Sequence, residues 1–432
     1  MRFFSFILLI LSTACCQAVC TCDQNLAQFD PEKWAIPQSL RDDGRTTSSR
    51  SIVQFMLEAV RPKCAFRPDM ARREFRLWQN RVRMAMEKLM KFPPACERPA
   101  PKCTASIKRD GYRVEKWEAY PLPYAAVPFL LLIPDDVSAQ QPAPAVFCFP
   151  GSGQTKELLA GEPPSGAEDN APAREPGPEA MAYHCVREGW VAVVVDNGGS
   201  GEQGDAERAA GRTSYDDENL ARFLLELDWS WLGYTSYMNQ CILDWVRELP
   251  PVRDDRIVMC GFSLGTEPMM ALGVMNPDIC AFVYNDFLCR TLERACVMTM
   301  PDKRGYRPPS NSIRHLVPGF WNRFDFPDIA ASLAPRPLLC TEGGLDRDFR
   351  LVARAYELAG SPQHFIGMHQ PRFADPADRW QGDQLPRGLD RKGYFRFMNV
   401  DPSNHSFKKS VVIPWIKTVL AELDRQGSEN AY

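Results

Sequence analysis

The stretch that most limits what this chain can fold into is the pentapeptide Gly261-Phe-Ser-Leu-Gly265. An apolar run with β character, Arg256 to Cys260, stands directly before it, and Thr266 to Met275, directly after it, reads as a helix. A strand that turns sharply through G-x-S-x-G into a helix lifts its serine hydroxyl above the end of a sheet, where it serves as a nucleophile. Gly261 and Gly265 are then the positions at which a side chain would collide with the neighbouring backbone. The rest of the chain has to supply that serine with partners.

A serine hydroxyl attacks well only when a base takes its proton and an acid orients the base. The chain has five histidines. His405, in Val400 to Phe407 just ahead of a closing helical run, is the expected base, with His369 as the second candidate. Leu338 to Asp346 reads as a strand passing into a glycine-containing loop, so Asp346 is the expected acid. Glu342, nearer the strand end, and Asp286, after the preceding strand, are the competitors, whereas Asp348 reads as a surface residue. The developing oxyanion needs backbone N–H donors. Those of Leu264 and of Ser152, in the loop Phe149 to Glu157, are in the right places. Glu267, one turn into the elbow helix, is expected to pair with an arginine such as Arg290.

No G-x-x-x-x-G-K-[S/T] occurs, and the glycines after Asp196 do not form a G-x-G-x-x-G, so no cofactor is expected. No paired Cys-x-x-Cys suggests a metal. The formal charge is −3, which offers no basic surplus for nucleic acid. The chain opens with one arginine and a short apolar run, too short to span a bilayer, so residues 1–20 read as an export signal. Ser12 to Cys15 leaves a lipid anchor open; the expected location is the periplasm or the outer membrane of a Gram-negative cell. Of the 15 cysteines, Cys148, Cys260, Cys280 and Cys340 fall in apolar strand candidates and read as core residues. In an oxidising compartment Cys64, Cys96, Cys103, Cys289 and Cys296 are candidates for disulfides.

From residue 21 to 108 the chain reads as an N-terminal extension carrying one clear helix, Pro68 to Met90, in which Phe75, Trp78, Val82, Ala85 and Leu89 recur at three- and four-residue spacing. From 109 to 426, strands alternate with helices, which predicts an α/β fold with a mainly parallel sheet covered on both faces. Two long inserts, 286–335 and 370–404, fall where such folds bind substrates. They carry the substrate-binding candidates Trp321, Arg323, Arg372, Trp380, Arg387 and Tyr394.

With these motifs in order, the chain resembles the dienelactone-hydrolase and acetyl-xylan-esterase branch of the α/β-hydrolases. The resemblance is carried by Pro150 to Glu157, Asp196-x-x-Gly-x-Gly201, Gly261 to Gly265, Ala334 to Leu339, Glu342 to Asp346 and Asn404 to Phe407, across roughly residues 110–425. It implies serine hydrolysis of small esters, O-acetyl or methyl, on a polysaccharide, with Ser263, Asp346, His405 and the Ser152 N–H carried over. Many relatives begin the oxyanion loop with His-Gly; this chain has Pro150-Gly151, so the pocket floor differs. The arginines and aromatic residues of the second insert suggest an acidic or decorated glycan as partner. A peptidase, lipase or broad small-ester hydrolase with the same triad, and a glycan-binding protein with a relic triad, are the competing readings.

Overall fold

The structure, a computed structural model, describes residues 59–168, 171–204, 217–291, 293–294, 316–386 and 389–429, with single positions between 45 and 56. Arg387 and Cys296, and the expected export signal, lie outside the described residues.

A nine-stranded sheet runs in the order β1-β2-β3-β5-β4-β6-β7-β8-β9. Its first strands are β1 (Lys102–Arg109), β2 (Tyr112–Ala119) and β3 (Val127–Pro134), which pair antiparallel with one another and onto β5 (Val191–Val195). From β5 outward, through β4 (Ala143–Phe149), β6 (Val252–Phe262), β7 (Ala281–Asn285), β8 (Leu338–Cys340) and β9 (Phe365–Gly367), every pairing is parallel. β5 and β7 are buried along their whole length, as their apolar runs, Val-Ala-Val-Val-Val in β5, require of a sheet covered on both faces. β1 was not anticipated. It lies at the sheet edge, largely exposed, and lacks the apolar alternation that marks a half-buried strand.

Alternate residues feed two cores. Phe129, Leu131, Phe147, Val193, Met259 and Phe282 face one side. There they meet α1 (Arg72–Met90), α5 (Trp231–Arg247), α6 (Thr266–Met275), α7 (Phe326–Ser332) and α8 (Asp346–Ala359). Leu130, Leu132, Val146, Cys148, Val194 and Cys260 face the other, under α2 (Lys156–Ala160), α3 (Met181–Val186) and α10 (Lys409–Glu429). Helix α1 buries Phe75, Trp78, Val82, Met86 and Met90, so it belongs to the main core. At roughly 1.5–3 kcal/mol for each large apolar side chain, that face outweighs its mediocre start, an alanine N-cap.

Helix α4 (Asp217–Glu226) was not anticipated. The inserts carry α7 and α9 (Arg391–Phe397). A third cluster of Phe287, Cys289, Leu345, Tyr394, Met398 and Val400 ties the second insert to the strand ends. Tyr394 is wholly buried there, which corrects its expected substrate-facing place. All described cysteines are unpaired thiols; Cys64 and Cys289 are buried, Cys96 and Cys103 exposed, so none of the disulfides expected among these four is formed.

Candidate active site

The elbow forms as its residue pattern demands. β6 ends at Phe262, Ser263 sits at φ 50°, and a 3-10 turn over Ser263–Gly265 feeds α6. Left-handed φ is rare for a residue with a side chain and marks stored strain at functional positions. The flanking glycines permit the turn. A Cβ on Gly265 would lie 2.2 Å from the Phe149 carbonyl oxygen, and one on Gly261 would lie 2.8 Å from the Gly265 carbonyl oxygen.

Two elements close on the residue beside the serine. The His405 ring stacks on Phe262, centroids 4.8 Å apart and 26° from coplanar. Gly151, in the loop after β4, packs so tightly on the same ring that a Cβ there would meet Phe262 Cδ1 at 2.7 Å. The base candidate and the oxyanion loop are therefore both seated on Phe262. Ser152 is exposed in that loop, whereas Leu264, the second residue of the elbow turn, is buried. The first N–H groups of a helix have no partner within it, so a turn entering α6 presents donors.

The loop itself is pinned at both ends. Asn197 Nδ2 donates to the Pro150 carbonyl at 2.8 Å. The Lys156 N–H and Nζ reach the two Asp196 carboxylate oxygens at 2.7 and 3.0 Å. Lys156 is 1% exposed and also meets Glu157 at 2.5 Å and Glu202. Burial pushes down on its pKa, but Asp196 and Glu157 outweigh that and hold the amine protonated. The Asp196 to Gly201 stretch, which fails as a dinucleotide fingerprint, is thus an anchor for the oxyanion loop.

The acid was expected to be Asp346, and the structure corrects this. His405 Nδ1 lies 2.5 Å from Glu342 Oε2. Asp346 instead takes His369 Nε2 at 2.8 Å and Arg379 at 3.5 Å. The reason is local. β8 stops at Cys340, so Glu342 falls at the carboxyl end of the sheet; Gly343 and Gly344, at φ 89° and 141°, then turn the chain, and Asp346 begins α8 against His369.

Glu342 is fully buried. Its Oε1 accepts from Asn285 Nδ2 at 3.0 Å and from the Ser406 N–H at 3.2 Å, with Lys408 Nζ at 3.2 Å. Asn285 also receives the Lys408 N–H at 2.8 Å, so one amide at the end of β7 joins the Glu342 and His405 loops. Sequence reasoning missed both Asn285 and Lys408; the only signal was a polar pair, Asn285-Asp286, closing an apolar strand.

Asp286 is the third member. Donor atoms of Asp286, Glu342 and His405 all lie within 4.8 Å of one another. Among the described residues this is the one grouping whose spacing would suit a cation, yet the His405–Glu342 hydrogen bond already occupies two of its donors. Burial pushes the Asp286 carboxyl up to about 6, against the pull of His405 and Arg294. Burial alone would lower the His405 pKa, but the Glu342 hydrogen bond and the Asp286 charge more than offset it, and it stands above its ordinary value. Two carboxylates favour an imidazolium, as proton transfer from a serine requires.

Other expectations move. Arg290 pairs with Asp348 at 2.9 Å, and Asp348 is fully buried, not a surface residue. Trp380 packs edge-on against Phe397 and donates to the Gln384 carbonyl, and Arg372 lies over the Phe373 ring, so both are tied within their own insert. Arg323 lines a separate recess with Lys63 and Lys88. Trp321, by contrast, lines a recess that reaches Asp286.

A search of curated proteins gives no match. Among solved structures, one described as "a putative acetyl xylan esterase" from Bacteroides fragilis is 50% identical, with 89% of this chain and 97% of that chain covered at a TM-score of 0.82. A glucuronoyl esterase from Solibacter usitatus (14% identity, 65% and 80% covered, TM-score 0.43) and the methylesterase BT1017 (15%, 87% and 79%, 0.46) are more distant. The Abhydrolase family profile matches residues 28–418, and with a largely parallel nine-stranded sheet bearing a serine elbow, the chain belongs to the Abhydrolase family of α/β-hydrolases.

Proposed function

We propose that this protein is a serine esterase acting on carbohydrate esters, with Ser263 as nucleophile, His405 as base, Glu342 as the orienting acid and the N–H groups of Leu264 and Ser152 as oxyanion donors. The observation that carries the reading is His405, bonded to a buried carboxylate through Nδ1 and stacked beside the elbow serine. The Bacteroides fragilis relative supports the carbohydrate ester as substrate and an O-acetyl group as one that is removed.

In this reading Ser263 Oγ attacks the ester carbonyl while His405 Nε2 takes its proton. The carbonyl π electrons move onto oxygen, where the two N–H groups meet them. Collapse expels the sugar alkoxide, which receives the proton from His405, and leaves an acyl-serine. Water, deprotonated by the same nitrogen, repeats the attack and releases the carboxylic acid and free Ser263. Residues 1–20 direct export, residues 21–108 form an extension whose helix braces the catalytic unit at 109–426, and Ser12 to Cys15 offers Cys15 as a lipid anchor. Among the described residues no helix is long and apolar enough to cross a membrane.

The test has two steps. Hydrolysis of p-nitrophenyl acetate should vanish in Ser263→Ala; activity surviving that change sinks the nucleophile. Acetylated xylans and methyl-esterified pectins, scored by released acetate or methanol, then separate deacetylation from demethylation. Turnover of p-nitrophenyl acetate without release from any glycan would favour a broad small-ester hydrolase.

A further inference from the structure

A recess of about 470 Å³ opens beside the trio. Thr266 and Glu267, from the first turn of the elbow helix, and Tyr284 and Asp286, at and just after the end of β7, line its inner side; Asp286 is the member it shares with the trio, and the Thr266 hydroxyl donates to the Ser263 carbonyl at 2.7 Å. Its outer walls are apolar: Leu232 from α5, then Val317, Phe320, Trp321 and Phe326 from the first insert. We propose, resting on the serine-esterase reading, that this chamber seats the acyl half of the substrate and is shaped for an aryl-acyl group bearing a ring hydroxyl, a hydroxycinnamoyl or hydroxybenzoyl ester of a sugar.

Size is the first argument. Sites of about 300–1,000 Å³ hold drug-sized organic groups; an acetyl or methyl group would leave most of this one empty. Polarity is the second. In a sugar ester the alcohol half is polyhydroxylated, and burying hydroxyls against apolar walls without partners is unfavourable. The half that gains from Leu232, Val317 and three aromatic rings is the acyl half, and aromatic acyl groups gain most from ring contacts.

The charged end is the third argument. Arg294, Glu267 and Asp286 line the chamber together. Asp286 and Glu267 both sit in the electrostatic field of Arg294. One cation facing two carboxylates discourages a further anion, which disfavours a uronate in this chamber. A neutral phenol both donates and accepts, and so can meet either sign. A purely aliphatic tail would desolvate these groups and return no hydrogen bond.

The experiment compares methyl 4-hydroxycinnamate, methyl cinnamate and methyl acetate, which share one leaving alcohol. The expected order of kcat/KM places the hydroxycinnamate at least tenfold above the acetate and several-fold above the unsubstituted cinnamate. Leu316, 43% exposed on the rim, gives a variant that should fold. Leu316→Trp should cut the hydroxycinnamate-to-acetate ratio of kcat/KM at least tenfold. Calorimetry with Ser263→Ala should detect binding of intact methyl 4-hydroxycinnamate and none of methyl acetate. Turnover of acetate with no aryl preference, and no binding by Ser263→Ala, would overturn the chamber while leaving the serine reading intact. Binding by that variant with no ester turned over by the wild type would support the chamber and overturn the serine reading. Neither binding nor turnover would overturn both.

Discussion

Exchanging Glu342 for Gln tests the central correction. Glu342 contacts His405 Nδ1 at 2.5 Å from a fully buried position, and the change keeps the side-chain shape while removing its charge. When Ser263 gives up its proton, His405 becomes an imidazolium. At an effective dielectric near 20, a unit pair about 4 Å apart is worth about 4 kcal/mol. Losing that stabilisation lowers kcat by about 10³-fold, since about 1.4 kcal/mol is a factor of ten. Asp286 stays in the cluster and carries its own negative charge at neutral pH, so it cushions the loss. The pair Glu342→Gln with Asp286→Asn should therefore fall well below either single variant. Asp346→Asn removes a carboxylate held by His369 and Arg379, and kcat should change less than tenfold. Each variant is assayed by steady-state hydrolysis of p-nitrophenyl acetate, with circular dichroism to confirm folding. A folded Glu342→Gln of normal kcat beside a crippled Asp346→Asn would refute the reasoning.

The pH profile offers an independent check. His405 must be neutral to act as base, and its pKa is raised, so the rising limb of kcat/KM against pH should be centred above 6.5; in Glu342→Gln that limb should move to lower pH. Lys156→Met would leave Asp196 and Glu157 buried without their cation, which should cost about 3–5 kcal/mol in urea unfolding and depress kcat more than it raises KM. Gly201→Ala should fail in the same region, because its Cβ would lie 2.3 Å from Asp196 Oδ2 at a backbone φ of 56°. Trp78→Ala, which empties the centre of the α1 face and orphans the Cys64 carbonyl it donates to, should destabilise by about 3–5 kcal/mol, read as a lower denaturation midpoint.

What the sequence determined by itself was whatever depends on near neighbours in the chain. The elbow was legible because strand, glycine, serine, glycine and helix are consecutive, and each glycine answers a clash with backbone only a few residues away or on the adjoining strand. The apolar strands, the α1 face and the placement of His405 ahead of the last helix were legible for the same reason: periodicity is a local property. Edge strand β1 was not, since an edge exposed on both sides carries no apolar period.

The choice between Glu342 and Asp346 was decided by tertiary structure. The two carboxylates lie four residues apart between β8 and the first turn of α8, and the sequence does not say where β8 ends or how far Gly343 and Gly344 rotate the chain. Asn285 and Asp286 from β7, Glu342 from beyond β8 and Lys408 from beside the base meet only because the three segments end at the same edge of the sheet. The same holds for Lys156 and Asp196, forty residues apart and joined in one buried ion pair. Local pattern marks the elbow serine; the convergence of separate strand ends brings Glu342 rather than Asp346 to His405.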